Sequence, residues 1–379
     1  MQAPAGPDFR VEWRALAQLE EIADQWRSLA ARALEPNVFY EPAFALNAAP
    51  VFGRDARAAL VWSGTRLMGL FPLRFERWQT GPGKILAGWV HSYAPLGMPL
   101  VDGEQAPGVI TAWLDELAGD PANPALLLLP LVPDEGAFAG VLKAVLARSG
   151  RQACPLGRHR RAQLAPAAER ETYLERAVTL RRRKELRRQR RRLEEIAPVR
   201  FTSSAAPAEI AASLQEFMLL EASGWKGRAG TAAASDPEIR SFVETAVPAL
   251  AAEGKAQVDR LSLNGRTIAA AITLRSGSTA WCWKIAYSEG VANSSPGVQL
   301  VMDLTGAMLA DSKLASVDSC ATADHPMINH IWRERLALSD QLIELRRSAW
   351  PFALACGFAR LRRRTISIAK WLRAGLHRR

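Results

Sequence analysis

The chain has 379 residues, of which 49% are hydrophobic and 23% are charged, a composition that supports folded cores and excludes an intrinsically disordered protein. At about 100–200 residues per domain, this length predicts two domains. The net charge of +11 indicates an anionic partner, such as a nucleic acid, an anionic membrane surface or a phosphate-bearing cofactor.

The cysteines and the apolar segments exclude several further classes of protein. The four cysteines lie far apart and form no CxxC pair, which argues against a zinc ribbon, a thioredoxin-type site and disulfides. No apolar stretch approaches the roughly 20 residues of a membrane-spanning helix, and the N-terminus lacks the pattern of a signal peptide. We therefore expect a cytoplasmic protein without a metal site, with contact at the inner face of the membrane as an open alternative.

In the first half of the chain, apolar periodicity predicts a strand, a helix, three strands, and then helix, strand, helix and strand. The predicted strands are residues 9–13, 56–62, 66–75, 84–93, 125–131 and 151–156, and the predicted helices are residues 16–33, 107–119 and 135–149.

The second half of the chain repeats this order of elements. The predicted strands are residues 199–203, 256–263, 267–274, 278–287, 315–320 and 336–345, and the predicted helices are residues 207–222, 236–253, 297–312 and 326–335. Asn264 and Gly265 predict a tight hairpin between the second and third of these strands. The repeated order indicates an internal structural duplication.

Two basic segments lie outside the repeated elements. Residues 180–195 read LRRRKELRRQRRRLEE and predict a helix that is either solvated or in contact with nucleic acid. Residues 350–379 set aromatic and aliphatic residues among many arginines, a pattern that fits an amphipathic segment on anionic lipid, a segment packed on the body, or disorder. The predicted domains are 1–165, a basic helical connector at 166–198, 199–349, and a basic amphipathic tail at 350–379.

A small-residue turn precedes the helix predicted at 297–312. Ser294, Ser295, Pro296 and Gly297 lead into this helix, whose first N–H groups point outward at the positive end of the helix dipole. Such a helix start can cradle phosphate oxygens, although a purely structural strand-to-helix turn explains the same residues.

Several sequence strings resemble a known family. These are LRRRKELRRQRRRLEEIAPVRF at 180–201, FMLLEASGWKGRAGTA at 217–232 and NGRTIAAAITLRSGSTAWCWKIAYSEGVANSSPGVQL at 264–300, together with EPAFALNAAPVF at 41–52 and YAPLGMPLVD at 93–102. With the order of elements, they resemble the GNAT N-acyltransferase fold, in the doubled form of the Fem-type aminoacyltransferases. The resemblance is closer still to the CelD/BcsL group of acetyltransferases, which is linked to cellulose biosynthesis.

The resemblance implies an α/β fold of two tandem GNAT-like domains, each with a mostly antiparallel central sheet flanked by helices, the first domain being degenerate. It also implies that acetyl-CoA or another acyl-CoA binds the second domain, with the backbone near Ile285 and Ala286 as oxyanion donor. The implied cofactor-binding residues are Trp283, Ile285, Ala286, Ser295, Gly297, Val298 and Gln299. Of the two glycines usual in the family's phosphate loop, only Gly297 is present.

Three candidate acid–base residues lie on or after the strand predicted at 315–320. Asp318 is on that strand, and Asp324 and His325 follow its end. Histidine titrates near neutral pH, so His325 suits a general base that removes a proton from the acceptor. The alternative for Asp324 is a capping role at the helix predicted to begin near Pro326.

Four further residues are candidates for binding the acceptor. Trp225, Lys226 and Arg228 lie in a glycine-bounded segment, where the cations suit a carboxylate or phosphate. The alternative is a glycine helix cap followed by a solvated loop. Lys284, on a predicted strand, either meets an acidic substrate or is exposed to solvent.

The resemblance implies an acyl-CoA-dependent transferase that moves an acyl group to an amine or hydroxyl of a polysaccharide, an envelope component or a small amino compound. Two alternatives stay open. One is an aminoacyl-tRNA-dependent, Fem-like transferase in which the arginine-rich helix contacts RNA. The other is a non-catalytic, membrane-associated scaffold of polysaccharide synthesis.

Overall fold

The computed structural model describes residues 8–79, 83–165, 170–347, 352–362 and 365. The chain forms two compact units that are not consecutive in sequence. Unit 1 comprises Met1–Pro42, Phe52–His159 and Ala337–Arg379, and unit 2 comprises Ala43–Val51 and Arg160–Leu336. The units therefore do not coincide with consecutive stretches such as 1–165 and 199–349, because a short helix and the last strand change sides.

The secondary structure contains thirteen strands within the described residues. They are β1 (Arg10–Ala15), β2 (Arg57–Ser63), β3 (Arg66–Arg77), β4 (Lys84–Gly88), β5 (Leu100–Val101), β6 (Leu126–Pro133), β7 (Ala153–Leu164), β8 (Val199–Ser204), β9 (Ala256–Leu263), β10 (Arg266–Ser276), β11 (Thr279–Tyr287), β12 (Ser316–Asp318) and β13 (Glu334–Glu344).

The helices in the same residues are α1 (Ala23–Ala31), α2 (Pro42–Phe52), α3 (Ala106–Gly119), α4 (Ala137–Ser149), α5 (Tyr173–Ala177), α6 (Leu180–Ile196), α7 (Pro207–Ser223), α8 (Trp225–Arg228), α9 (Pro237–Ala252), α10 (Pro296–Ala310) and α11 (352–362). None of them is both long and apolar enough to cross a bilayer.

The sheet of unit 1 has the strand order β1-β2-β3-β4-β6-β13, and β5 pairs with β3. All pairs are antiparallel except β4 with β6. Residues 58–62 of β2 are all buried, as expected for a strand that is covered on both faces of the sheet. Helix α3 covers one face, where Trp113 stacks on Phe71 with 4.0 Å between ring centroids.

The sheet of unit 2 has the strand order β8-β9-β10-β11-β12-β7, and only β11 and β12 run parallel. The predicted hairpin between β9 and β10 is confirmed, because Asn264 and Gly265 both have positive φ, at 51° and 77°, as a tight hairpin turn requires. Helix α10 packs on this sheet through Leu300, Val301 and Leu304, which are fully buried. The predicted mixed α/β fold with mostly antiparallel sheets flanked by helices is confirmed.

The two sheets exchange their last strands along the chain. Strand β7 begins in unit 1, but its residues from Arg160 onward belong to unit 2, where Gln163 and Leu164 pair with β12. Strand β13 ends the second half of the sequence, yet Leu338–Glu344 pairs with β6 of unit 1. Each sheet is thus completed by the final strand of the other half of the sequence.

The helix predicted at 326–335 is wrong, because only the 3₁₀ turn Ile328–His330 forms there. The side chains of this segment bind its backbone in place of a helical ladder. His325 Nδ1 accepts from the N–H groups of Met327 and Ile328, each at 3.4 Å, and the Asn329 amide donates to the Ala323 carbonyl at 2.7 Å. The helix predicted at 16–33 is also shorter than expected, since α1 follows two 3₁₀ turns.

Helix α2 was not predicted from the sequence. Its residues Ala43–Val51 belong to unit 2. There the Phe44 ring meets the rings of Phe242 and Trp283 edge-on, with centroids 5.3 and 5.7 Å apart. Apolar packing of this kind, at long sequence distance, leaves no local sequence signal.

Candidate functional site

The candidate site is built around a gap between β11 and β12. These strands pair only from Thr279 with Ser316 to Trp281 with Asp318, whereas β11 continues to Tyr287 beside β10. A β-bulge lies at the point of separation, because Ile272 pairs with Lys284 while Thr273 pairs with Cys282. A bulge bends the strand that carries it, so β11 turns away from β12. We call residues 282–287 of β11, which have no described strand on the β12 side, the strand gap.

Lys226 binds the backbone of the strand gap. Its Nζ donates to the Ile285 carbonyl at 3.2 Å and pairs with the Glu221 carboxylate at 2.8 Å. Glu221 is buried and accepts a second hydrogen bond from the Ala233 N–H at 2.9 Å. The ion pair therefore places a cation at the edge of β11, next to the predicted oxyanion donors.

Lys284 lies on the strand gap itself and is largely buried, so the alternative of a solvent-exposed side chain is wrong. Its Nζ lies 5.8 Å from the centre of the Trp283 ring. Burial, and then the positive charge of Lys226, lower the pKa of Lys284 to about 8. A lysine with this pKa exchanges its proton near physiological pH.

Asp318 forms a buried ion pair at the start of the strand gap. Its carboxylate accepts from the Arg161 guanidinium and, at 2.9 Å, from the Cys320 N–H, and the Arg161 and Asp318 side chains are each 3% exposed. Burial disfavours the charged arginine, but the adjacent carboxylate more than offsets it and raises the pKa of Arg161. Both oxygens of this carboxylate are occupied by these hydrogen bonds, which supports a structural role, and catalysis by Asp318 stays a prediction.

His325 is half-buried, and its pKa is lowered by burial and by the positive charge of Lys226. Its imidazole is therefore neutral at pH 7. Because Nδ1 accepts the two backbone hydrogen bonds, Nε2 carries the proton in this arrangement. The capping role considered for Asp324 is wrong, since no helix follows it and His325 binds the backbone instead; Asp324 itself is exposed.

Helix α10 begins at Pro296, one residue before the predicted start, after the 3₁₀ turn Glu289–Ser294 that follows the strand gap. Ser295 has a left-handed backbone with φ of 51°, and Pro296 opens the first turn. A Cβ at Gly297 would lie 3.1 Å from the Tyr287 ring and 3.5 Å from Met327 Sδ, so glycine allows both side chains to approach the helix start.

The predicted cofactor residues differ in what they contact. Gln299 is buried, and its amide donates to the Leu186 carbonyl at 2.8 Å, so it ties α10 to α6. Trp283 packs in the aromatic cluster with Phe44 and Phe242. Val298 faces a cavity. A direct contact between any of these residues and a cofactor stays a prediction.

The cavity lies beside the first turn of α10 and measures about 660 Å³. Its polar lining includes Arg182, His330, Arg333 and Arg335, and none of its lining residues among those described is acidic. Arg333 donates to the Ala177 carbonyl, and Arg335 donates to the carbonyls of Trp332, Glu334 and Asn329. Carbonyls orient these guanidinium groups without neutralising them, so the cavity is positive and suits a phosphate group.

A basic surface on α6 continues from the cavity. Thr179 and Arg182 line both the cavity and a shallow groove of about 680 Å³. The exposed basic residues of α6 are Arg181, Arg182, Lys184, Arg187, Arg188, Arg191 and Arg192. The helix is docked through buried Leu186 and Leu193, and Arg190 pairs with Asp303 of α10 at 2.9 Å. The helix is therefore docked on its apolar side and solvated on its basic side, and contact with nucleic acid stays a prediction.

The predicted acceptor residues Trp225 and Arg228 lie in α8, so the expected loop is a short helix. Both are held by Glu289, which accepts from the Trp225 N–H and from Arg228, each at 2.8 Å. Glu289 begins the 3₁₀ turn Glu289–Ser294 that leads into α10. The Trp225 side chain is about half exposed, at 52%.

Sequence reasoning missed several residues of the site. Arg333 and Arg335 line the cavity, Glu221 and Glu289 hold α8, and Arg161 neutralises Asp318. The partners of Arg333, Glu289 and Arg161 lie 156, 64 and 157 residues away, so no local spacing marks these three. The arginine excess of residues 333–335 was the one available signal.

Comparisons with known proteins fit this geometry. Residues 181–325 match a family model described as an acetyltransferase (GNAT) domain, which supports the predicted GNAT-type acyltransferase. The matched residues contain the strand gap and the start of α10. No curated protein sequence matches the chain.

Three solved structures share the fold at low sequence identity. FemX has 10% identity and a TM-score of 0.54, covering 85% of this chain and 95% of FemX. A protein of unknown function from Bacteroides thetaiotaomicron has 12% identity and a TM-score of 0.56, covering 89% and 100%. The C-terminal domain of a lysylphosphatidylglycerol synthetase candidate from Agrobacterium fabrum has 11% identity and a TM-score of 0.52, covering 89% and 94%. At these identities the similarity shows the fold alone, which is the fold predicted for this chain.

Proposed function

We propose that unit 2 transfers an acyl group from acyl-CoA to an amine or hydroxyl acceptor. The observation that carries this proposal is the positive cavity at the first turn of α10, whose lining residue Met327 and Tyr287 of the strand gap both lie against Gly297. CoA needs a site for its phosphates and an extended path for its pantetheine amides. The cavity supplies the first, and the unpaired edge of β11 supplies the second.

In the proposed reaction, the acceptor nitrogen or oxygen attacks the thioester carbonyl carbon. The carbon–sulfur bond breaks, CoA leaves with its sulfur, and the acceptor loses one proton. His325 is neutral at pH 7 and takes this proton once Nδ1 releases its backbone donors or Nε2 passes its own proton on. Lys226 and Lys284 provide positive charge near the carbonyl oxygen.

The acceptor class rests on the resemblance to the CelD/BcsL group. We propose an amine or hydroxyl of a polysaccharide, an envelope component or a small amino compound. Trp225, Lys226 and Arg228 lie beside the turn that precedes α10, where an acceptor would approach the gap.

Titration calorimetry with CoA tests the donor site. Arg182→Glu reverses a charge in the cavity, and we expect binding at least about tenfold weaker than in the wild type. Arg181→Glu is the matched control, since Arg181 lines only the shallow groove, and its affinity is expected to stay within about threefold of wild type. Equal affinities for Arg182→Glu and wild type would contradict this site, and no binding at millimolar CoA would contradict the donor.

A second candidate donor is aminoacyl-tRNA, which the exposed arginines of α6 favour. Contacts with several phosphates make binding fall steeply with salt. Filter binding of tRNA between about 50 and 200 mM salt tests this candidate, with a loss on the order of 10³-fold expected for six or more contacts. Absence of binding at low salt would remove it.

A further inference from the structure

Helix α11 carries two apolar stripes. Phe352, Cys356 and Ala359 are buried in a cluster of unit 1 that includes Leu156 and Leu342. Leu354, Phe358 and Leu361 are instead exposed, at 48%, 48% and 59%. Both sets follow the spacing i, i+4, i+7, so each forms one stripe along the helix.

The two stripes lie on opposite sides of α11. At about 100° per residue, the exposed stripe is centred roughly 200° from the buried one. The buried stripe fixes the helix on unit 1, and the same packing holds the three exposed side chains in a fixed outward row. Single exposed apolar residues are ordinary, but a row of three large ones on a docked helix marks an interaction surface.

The sequence around the exposed stripe is strongly basic. Residues 345–379 contain ten lysines and arginines and no aspartate or glutamate. Within the described part, Arg347, Arg360 and Arg362 are exposed. Arg360 and Arg362 fall on either side of the helix between the two stripes. An apolar row with flanking arginines is complementary to a surface that is anionic outside and apolar beneath.

We propose that the exposed stripe of α11 docks unit 1 on an anionic lipid bilayer, with Leu354, Phe358 and Leu361 in the interface and the arginines at the headgroups. Interfacial helices bind in this way, through apolar burial combined with attraction of lysine and arginine to anionic lipids. The helix lies along the membrane surface, and no helix among the described residues is long and apolar enough to cross it. A nucleic acid would pair with the arginines but would leave most of the apolar row, Leu354 and Leu361 above all, without an apolar partner.

Flotation of the full-length protein with lipid vesicles tests the proposal. Vesicles of phosphatidylcholine alone are compared with vesicles containing about 30% phosphatidylglycerol, with the anionic vesicles expected to bind strongly. In the triple variant Leu354→Ser, Phe358→Ser, Leu361→Ser, we expect binding to fall about tenfold or more, because the apolar contribution is lost. Arg360→Glu with Arg362→Glu is expected to abolish the preference for anionic vesicles.

Leu219→Ser is the matched control, since Leu219 is 70% exposed on α7 of unit 2 and is expected to have no effect on flotation. The far-ultraviolet circular dichroism and melting temperature of each variant should match wild type. Wild type that does not float with anionic vesicles, or a triple variant that floats as wild type does, would overturn the proposal. CoA binding is measured in parallel and should be unchanged in the triple variant, so the outcome does not depend on the proposed transferase.

Discussion

The two units differ in structure at the parallel strand pair that each of their sheets contains. In both, a short parallel pair follows three antiparallel strands: β4 with β6 in unit 1 and β11 with β12 in unit 2. In unit 1 the pairing of β3 with β4 has no register shift. The segment that follows β4 then forms hydrogen bonds with β6. The Gly97 N–H donates to the Leu131 carbonyl at 3.2 Å, and the Asn37 amide holds the carbonyls of Leu96 and Met98.

In unit 2 the bulge at Trp283 opens the strands, and the chain passes from β11 through one 3₁₀ turn directly into α10. A left-handed residue follows the parallel pairing in both units, since Leu131, within β6 but beyond its pairing with β4, and Cys320, beyond β12, both have φ of 51°. In unit 1 the backbone of the segment after β4 therefore fills the space beside the parallel strands. In unit 2 the corresponding edge of β11 is contacted by the side chain of Lys226. This difference supports the expectation that unit 1 is degenerate and that only unit 2 binds the donor.

The largest expected effect concerns the Arg161–Asp318 ion pair at the start of the strand gap, since the last parallel pair of unit 1 has Leu128 where that of unit 2 has Asp318. Arg161→Met leaves Asp318 buried without its partner, and we expect the free energy of unfolding to fall by about 3–5 kcal/mol. Urea unfolding measures this. Arg161→Met combined with Asp318→Leu should recover most of the stability. If the double variant is stable and keeps full transferase activity, Asp318 is not catalytic.

Closing the gap in unit 1 depends on Gly97. A Cβ there would lie 2.0 Å from the Pro130 carbonyl oxygen, which is backbone and cannot turn aside. Gly97→Ala is expected to lower the free energy of unfolding by about 3 kcal/mol through this overlap. Gly119→Ala is the control, because nothing lies within 4 Å of a Cβ at that position. Equal stability of the two variants would show that segment 96–98 does not fill the gap tightly.

The charge in the gap of unit 2 predicts a pH dependence. Lys284 has a pKa of about 8 in the folded protein against 10.5 for the free side chain, so the unfolded state binds more protons between these values. Lys284→Met should therefore stabilise the protein at pH 7, by up to about 3 kcal/mol. This advantage should shrink as the pH rises from 8 to 10.5, where wild type regains stability. Denaturant unfolding at several pH values checks it, and a difference that is constant with pH would contradict it.

The smallest effect is expected at His325. Since its pKa is lowered, the rate of acyl transfer should stay high at pH 7 and fall only below pH 6.5 as the imidazole gains a proton. His325→Gln should lower kcat about tenfold and remove this acidic limb. A variant that keeps the limb would assign the titration to another group.

Sequence patterns predicted correctly those features of the fold that depend on residues close together in the sequence. The hairpin at Asn264 and Gly265, the start of α10 at Pro296 and the order of elements were all visible in the sequence. The prediction of a helix at 326–335 was wrong because the spacing of apolar residues does not reveal that the side chains of His325 and Asn329 bind the backbone.

The site was less accessible to sequence reasoning than the fold. Gln299 lies at the predicted helix start, but its side chain is taken by the Leu186 carbonyl, more than a hundred residues earlier. The cavity combines α6 with Arg333 and Arg335, which are far from α6 in the sequence. Contacts between residues so far apart in the sequence produce no periodic pattern from which they could be predicted.

The exchange of β7 and β13 has a consequence for how the chain folds during synthesis. Unit 1 lacks its β13 partner until residue 344 has left the ribosome, so β6 presents an open edge for most of translation. An open strand edge recruits other strands, including those of neighbouring nascent chains. A fragment that stops near residue 165 retains this edge permanently and should aggregate, whereas the finished chain covers it with its own last strand.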